Sequence, residues 1–121
     1  MAAKSLTSLA LLLLIAQLLF ATHPLGGQSA PQKIEIVAKR FDFTPGEVSV
    51  KKGVPVTLVL TSKDVDHGVR FRELNVVVNA KKGETKEVTF TPDKLGTFVG
   101  QCSVFCGSGH GSMKMTLTVT E

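Results

Sequence analysis

Residues Thr97–Thr120 read TFVGQCSVFCGSGHGSMKMTLTVT and contain two strand patterns on either side of a glycine-rich loop. In the second half, apolar side chains recur at every other position, which is typical of a strand with one buried face. Those apolar residues are Met113, Met115, Leu117 and Val119. Thr97–Gln101 predicts the preceding strand. The segment therefore predicts an antiparallel strand pair joined by a loop of about a dozen residues.

The same two-residue period appears along the chain upstream of this segment. Alternating apolar side chains predict strands around residues 34–38, 48–50, 54–60 and 88–90. Turn signals rich in Gly and Pro separate them, at residues 44–46, 51–53, 81–83 and 91–96. No segment has the pattern of a helix of ten or more residues. Short strands at this spacing predict an all-β sandwich or barrel.

The first thirty residues have a different composition. Lys4 precedes an apolar run, Leu6–Ala21, which is typical of a secretory signal. Because the run is shorter than the ~20 residues that a spanning helix needs, a signal peptide is favoured. The pattern for cleavage is weak, so a retained membrane anchor formed by residues 6–21 stays open. We predict residues 1–30 as this segment plus a short tether, residues 31–121 as the folded domain, and export to the periplasm or the outer face of the cytoplasmic membrane.

Composition narrows the possible functions. The chain has 121 residues, which suits one domain, and a formal net charge of +4. Basic residues are scattered among acidic ones, so no basic stripe for a nucleic acid is present. Trp and Tyr are absent, which disfavours base stacking. The sequence shows no catalytic acid–base pair and no activated nucleophile. An enzyme that acts on its own substrate is therefore the least favoured class of function.

The loop concentrates residues that bind metals. Cys102, Cys106, His110 and Met113 lie within twelve residues of one another. Thiolate and thioether donors select copper, zinc or iron–sulfur clusters, and imidazole suits copper and zinc. His67 follows the most apolar predicted strand, so we expect it at the same end of the sandwich as the loop. One remote His with a clustered Cys, His and Met is the ligand pattern of blue-copper sites.

The spacing Cys102-x3-Cys106-x3-His110-x2-Met113, with His67 upstream, resembles the binuclear CuA domain of cytochrome c oxidase subunit II and of nitrous oxide reductase. The resemblance covers about residues 33–121. It implies a cupredoxin-like Greek-key β-sandwich and one-electron transfer, with two copper ions as the cofactor. The implied partner is a c-type cytochrome or a terminal oxidase.

The resemblance also implies the ligands. They are the thiolates of Cys102 and Cys106, the imidazoles of His67 and His110, the thioether of Met113 and the backbone carbonyl of Val104. The thiolates would bridge both copper ions, each imidazole would bind one ion, and the thioether and the carbonyl would be weak ligands. Val104 stands where the oxidase family usually has Glu, but a backbone carbonyl survives that change. A hydrophobic shell is expected from Val69, Phe71, Phe98 and Phe105.

Several alternatives remain open from the residues themselves. A mononuclear cupredoxin needs only one Cys, and a copper chaperone or storage module needs the same donors without electron transfer. The two cysteines also suit a structural disulfide, and two Cys with two His suit zinc. We interpret Met115 as core rather than ligand. The chain lacks the family's two-helix membrane hairpin, its Trp and an acidic docking surface, which favours a free or singly anchored carrier over a subunit of a complete oxidase.

Overall fold

The computed structural model describes residues 31–121, so the predicted signal or anchor segment lies outside the described residues. The described chain forms nine strands. They are β1 (Gln32–Lys39), β2 (Asp42–Thr44), β3 (Glu47–Lys51), β4 (Val56–Ser62), β5 (His67–Phe71), β6 (Val76–Ala80), β7 (Thr85–Phe90), β8 (Gly96–Cys102) and β9 (Lys114–Thr120). Two single 3-10 turns, Arg72–Leu74 and His110–Ser112, are the helical elements within this range. The predicted all-β class is confirmed.

The strands form two sheets that pack face to face. One has the order β2-β1-β4-β7 and the other the order β3-β9-β8-β5-β6. β1 with β4 and β3 with β9 are parallel pairs, and the remaining pairs are antiparallel. The arrangement is the predicted β-sandwich. No helix among residues 31–121 is long and apolar enough to cross a membrane.

The core lies between the sheets and follows the alternation in the sequence. On β9, Met115, Leu117 and Val119 are buried while the threonines between them are half-buried. On β4, Leu58 and Leu60 are fully buried in the centre of the other sheet. Burying one such side chain contributes about 1.5–3 kcal/mol. The core therefore supplies most of the stability and holds the strand ends in register.

Three strands were not expected from the sequence: β2, β5 and β6. In β6 the run Val76-Val77-Val78 is apolar throughout, but Val77 is 40% exposed while its neighbours are buried. Because all three letters are the same, the alternation cannot be seen in the sequence. β5 begins with His67-Gly68, and glycine has a low intrinsic propensity for strands, so the sequence did not predict one here. Pairing with β6 and β8 makes it a strand here.

The two ends of the sandwich differ in their connections. β1, β4, β6 and β8 all run toward one end, which we call the loop end; it comprises residues 40–41, 63–66, 81–84 and 103–113. The other end, called the turn end, comprises residues 52–55, 72–75 and 91–95. The predicted ligand residues lie in the loop end or, for His67 and Cys102, on the strand residues that border it. The sheet pairing therefore brings the remote His67 to the cysteine loop.

Candidate metal centre

The two cysteines are buried and face each other. Cys102 is the last residue of β8 and Cys106 lies four residues on, in the loop; their exposed fractions are 6% and 4%. Their Sγ atoms are 3.6 Å apart and both cysteines are free. A disulfide needs about 2.05 Å, whereas a metal–sulfur bond is about 2.3 Å. At this separation, one ion can contact both sulfurs.

His67 is placed beside the cysteines by the short ladder between β5 and β8. That ladder pairs Val69 with Cys102, which puts the first residue of β5 level with the start of the loop. The His67 ring is fully buried, and its Nδ1 lies 3.9 Å from Cys102 Sγ. The ligand atoms of His67, Cys102 and Cys106 all lie within 4.8 Å of one another. The predicted convergence of His67 with the loop is confirmed.

Asp64 orients the His67 ring. Its Oδ1 is 2.7 Å from His67 Nε2 and also accepts the Val65 N–H at 2.8 Å, while Oδ2 accepts the Arg40 N–H at 2.8 Å. Burial acts to raise the pKa of Asp64, but these hydrogen bonds outweigh it and lower the pKa to about 2. An ionised carboxylate only accepts hydrogen bonds, so His67 Nε2 carries the proton. His67 Nδ1, 3.9 Å from Cys102 Sγ, is then the ring nitrogen available to a metal.

The other three predicted ligands surround the same sulfur pair. His110, half-buried in its 3-10 turn, places Nδ1 3.7 Å from Cys106 Sγ. Met113, fully buried at the foot of β9, places Sδ 3.7 Å from Cys106 Sγ. The Val104 carbonyl lies 3.1 Å from Cys102 Sγ. All six predicted positions therefore border one small volume.

Burial controls the protonation of this site. It raises the pKa of the Cys106 thiol to about 11, with hydrogen bonding to Cys102 as the next cause and the nearby Arg40 charge opposing the rise. The metal-free site therefore holds Cys106 as a neutral thiol at pH 7. A metal that binds the thiolate must displace this proton, so binding releases protons to solvent.

Phe41 forms the floor of the loop and was missed by sequence reasoning. A Cβ atom on Gly109 would lie 2.4 Å from the Phe41 ring, and one on Gly107 would lie 3.0 Å from it. Gly107 also has a φ of 132°, a region that favours glycine. Nothing lies within 4 Å of a Cβ on Gly111. The loop glycines, interpreted from sequence as freeing the backbone, have distinct roles. Gly109 leaves room for the Phe41 ring, whereas Gly107 adopts a positive φ.

Of the four residues predicted to form a hydrophobic shell, three are buried in the core and one is exposed. Val69, Phe71 and Phe98 are buried, whereas Phe105 is 78% exposed. The neighbouring Val104 carbonyl and Cys106 thiol face the site. The Phe105 side chain between them points toward solvent. Its ring centroid is 5.6 Å from that of His110. Met115 is buried opposite Gly100 of β8, consistent with the interpretation as core.

The family model of the cupredoxin-like domain matches residues 8–119 of the chain. The chain belongs to the cupredoxin-like family. Cytochrome c oxidase subunit 2 of Thermus thermophilus is 30% identical over 96 residues, which are 78% of this chain and 71% of that protein. Nitrous-oxide reductase of Cupriavidus necator is 34% identical over 90 residues, which are 71% of this cupredoxin but only 14% of the reductase.

A solved structure supports the fold of this cupredoxin. The periplasmic domain of subunit II of cytochrome oxidase from Bradyrhizobium japonicum superposes with a TM-score of 0.69 at 24% identity, covering 77% of this chain and 86% of that one. The thiol, thioether and imidazole donors at the loop end are those that copper prefers. The family and the donor set together therefore imply copper as the metal.

Proposed function

We propose that this cupredoxin transfers single electrons through a binuclear, CuA-type copper centre. The observation that carries the proposal is the doubling of the donor set. Each cysteine has its own imidazole and its own weak donor: Cys102 has His67 and the Val104 carbonyl, and Cys106 has His110 and Met113. A mononuclear site would leave half of these donors without a role.

Each predicted ligand residue would have its own role in holding copper. Cys102 and Cys106, whose sulfurs are 3.6 Å apart, would hold the copper ions together with the imidazoles of His67 and His110. Bound copper would supply a one-electron couple whose charge is shared by both ions. The Met113 thioether and the Val104 carbonyl would complete the set as weak ligands.

The fold would keep the geometry constant during electron transfer. The loop is fastened at both ends to neighbouring strands, since the Cys102 N–H donates to the Met113 carbonyl at 3.0 Å and the Ser103 N–H to the Gly68 carbonyl at 3.1 Å. Ser103 Oγ also bonds Asn79 Oδ1 on β6. A rigid and mostly dry site limits the rearrangement that each electron requires.

The location and partner are part of the same proposal. We infer an exported protein on the periplasmic side, with residues 1–30 as signal or anchor and residues 31–121 as the copper domain. The names of the relatives, an oxidase subunit and a periplasmic oxidase domain, support this. The proposed partner is a c-type cytochrome or a terminal oxidase, which would approach the exposed Phe105 and the half-buried His110 at the loop end.

The first test is copper per chain, by elemental analysis of the reconstituted protein with its cysteines kept reduced. We expect about two copper ions bound together rather than in separable steps. Cys102→Ser and Cys106→Ser are each expected to abolish the native visible absorption, because either change removes a bridge. One copper per chain, or a coloured site that survives one of these changes, contradicts the proposal in favour of a mononuclear cupredoxin.

A second measurement separates a carrier from a chaperone. The copper-loaded protein is mixed with a reduced c-type cytochrome, and both absorption and bound copper are followed. Electron exchange with the copper retained supports the carrier. Transfer of copper to a metal-free acceptor protein, without electron exchange, contradicts it.

A further inference from the structure

Arg40 forms hydrogen bonds with Asp64, which contacts His67, and with the backbone of Cys106. Its backbone N–H donates to Asp64 Oδ2 at 2.8 Å, and its side-chain Nε–H donates to the Cys106 carbonyl at 3.0 Å. Asp64 in turn holds His67 Nε2 at 2.7 Å. A continuous path of hydrogen bonds therefore runs from one imidazole, through Asp64 and Arg40, to the backbone of the opposite cysteine.

This contact joins the two sheets within the loop, between its anchors at Ser103 and Met113. Arg40 follows β1 of the four-stranded sheet, whereas Cys106 lies in the connection between β8 and β9 of the five-stranded sheet. Cys102 needs no such support because it is the last residue of β8. Cys106 has no strand neighbours, so its position depends on what holds its backbone.

We propose that Arg40 is a positioning residue that fixes the Cys106 backbone relative to His67 and places a permanent positive charge beside the copper centre. The proposal rests on the copper function proposed above. Guanidinium stays protonated and its Nε–H has a fixed direction, so the contact is both a charge and an oriented hydrogen bond. A nearby positive charge favours the reduced form of a copper centre, which carries one positive charge fewer. Loss of Arg40 is therefore expected to loosen Cys106 and to lower the reduction potential.

Three variants separate these effects. Arg40→Gln removes both the charge and the Nε–H, and Arg40→Lys keeps the charge but not the oriented Nε–H. Arg72→Gln, in the 3-10 turn at the turn end, makes the same chemical change far from the copper loop and is the matched control. Amide hydrogen exchange is measured on the metal-free proteins, at the His110 N–H that donates to the Gly107 carbonyl. Copper affinity and reduction potential are measured on the loaded proteins.

For Arg40→Gln we expect exchange at His110 to become about threefold faster, copper affinity to fall about tenfold, and the potential to fall. For Arg40→Lys we expect the reduction potential to return toward that of the wild type while the fast amide exchange remains.

If Arg40→Gln matches Arg72→Gln in amide exchange and in copper affinity, the proposal is overturned. Equal exchange in Arg40→Lys and wild type overturns the oriented hydrogen bond. The exchange readout needs no copper, so it stays valid if the wild-type copper count disproves the binuclear centre.

Discussion

At the turn end, backbone hydrogen bonds hold the chain reversals; at the loop end, side chains from distant segments act alongside backbone hydrogen bonds. Gly53 N–H donates to the Pro92 carbonyl and Lys52 N–H to the Thr120 carbonyl, both at 2.8 Å. At the loop end the side chains of Asp64, Arg40 and Phe41 add to backbone bonds such as that from the Ser103 N–H to the Gly68 carbonyl. The turn end therefore tolerates changes of side chain, whereas the loop end depends on particular ones. That dependence is what a metal site of fixed geometry requires.

The largest loss of copper affinity is expected from Asp64→Asn at the loop end. The change keeps the shape but removes the carboxylate that orients His67, and loss of such a partner typically lowers metal affinity about 10–100-fold. Copper affinity measured by competition with a chelator checks this. Asp66→Asn is the control, since the Asp66 carboxylate accepts the Lys82 N–H at the same end and makes no hydrogen bond to a predicted ligand. Equal losses in the two variants would show that Asp64 has no special role.

The same substitution at the two ends is expected to damage different properties. Gly109→Ala forces its Cβ against the Phe41 ring, so overpacking costs about 1–3 kcal/mol and shifts the visible spectrum of the copper protein. Gly53→Ala meets no atom within 4 Å but has a φ of 77°, so it costs about 1 kcal/mol through backbone strain and leaves the spectrum unchanged. Thermal denaturation and absorption spectra of both variants test this.

Gly111→Ala is the control for the loop glycines. It lies in the same loop, and its Cβ would meet nothing within 4 Å. We expect wild-type stability and spectrum. A spectrum shifted as much as that of Gly109→Ala would mean that any loop change disturbs the site, and the role assigned to Phe41 would be wrong.

The smallest effects are expected from the two methionines at the start of β9, Met113 just before it and Met115 within it. Met113→Leu removes a sulfur 3.7 Å from Cys106 Sγ and is expected to change the spectrum and the potential. Met115→Leu, two residues along and buried in the core, is expected to cost less than about 1.5 kcal/mol and leave the spectrum nearly unchanged. If both variants shift the spectrum equally, the distinction between ligand and core methionine fails.

Sequence patterns predicted the class of fold and the residues that converge, but not what supports them. The alternation on β4 and β9 and the spacing from Cys102 to Met113 are local, so they can be read directly. The positions of Arg40 and Phe41 beneath the loop depend on β1 pairing in parallel with β4, a contact between distant segments. The exposed Phe105 was mispredicted because proximity to Cys106 says nothing about the direction of a side chain in a loop.

The position of β9 also has a consequence for how the chain folds. Among the described strands, β9 lies between β3 and β8, so β3 cannot join the five-stranded sheet until β9 has been made. Parallel pairing of β3 with β9 closes a long loop of chain. This step is slow because the chain loses conformational entropy before the stabilising contacts form. β3 therefore has no partner in this sheet until β9 has docked. Copper that arrives before β9 has docked would meet thiols without Met113 and without a finished cavity.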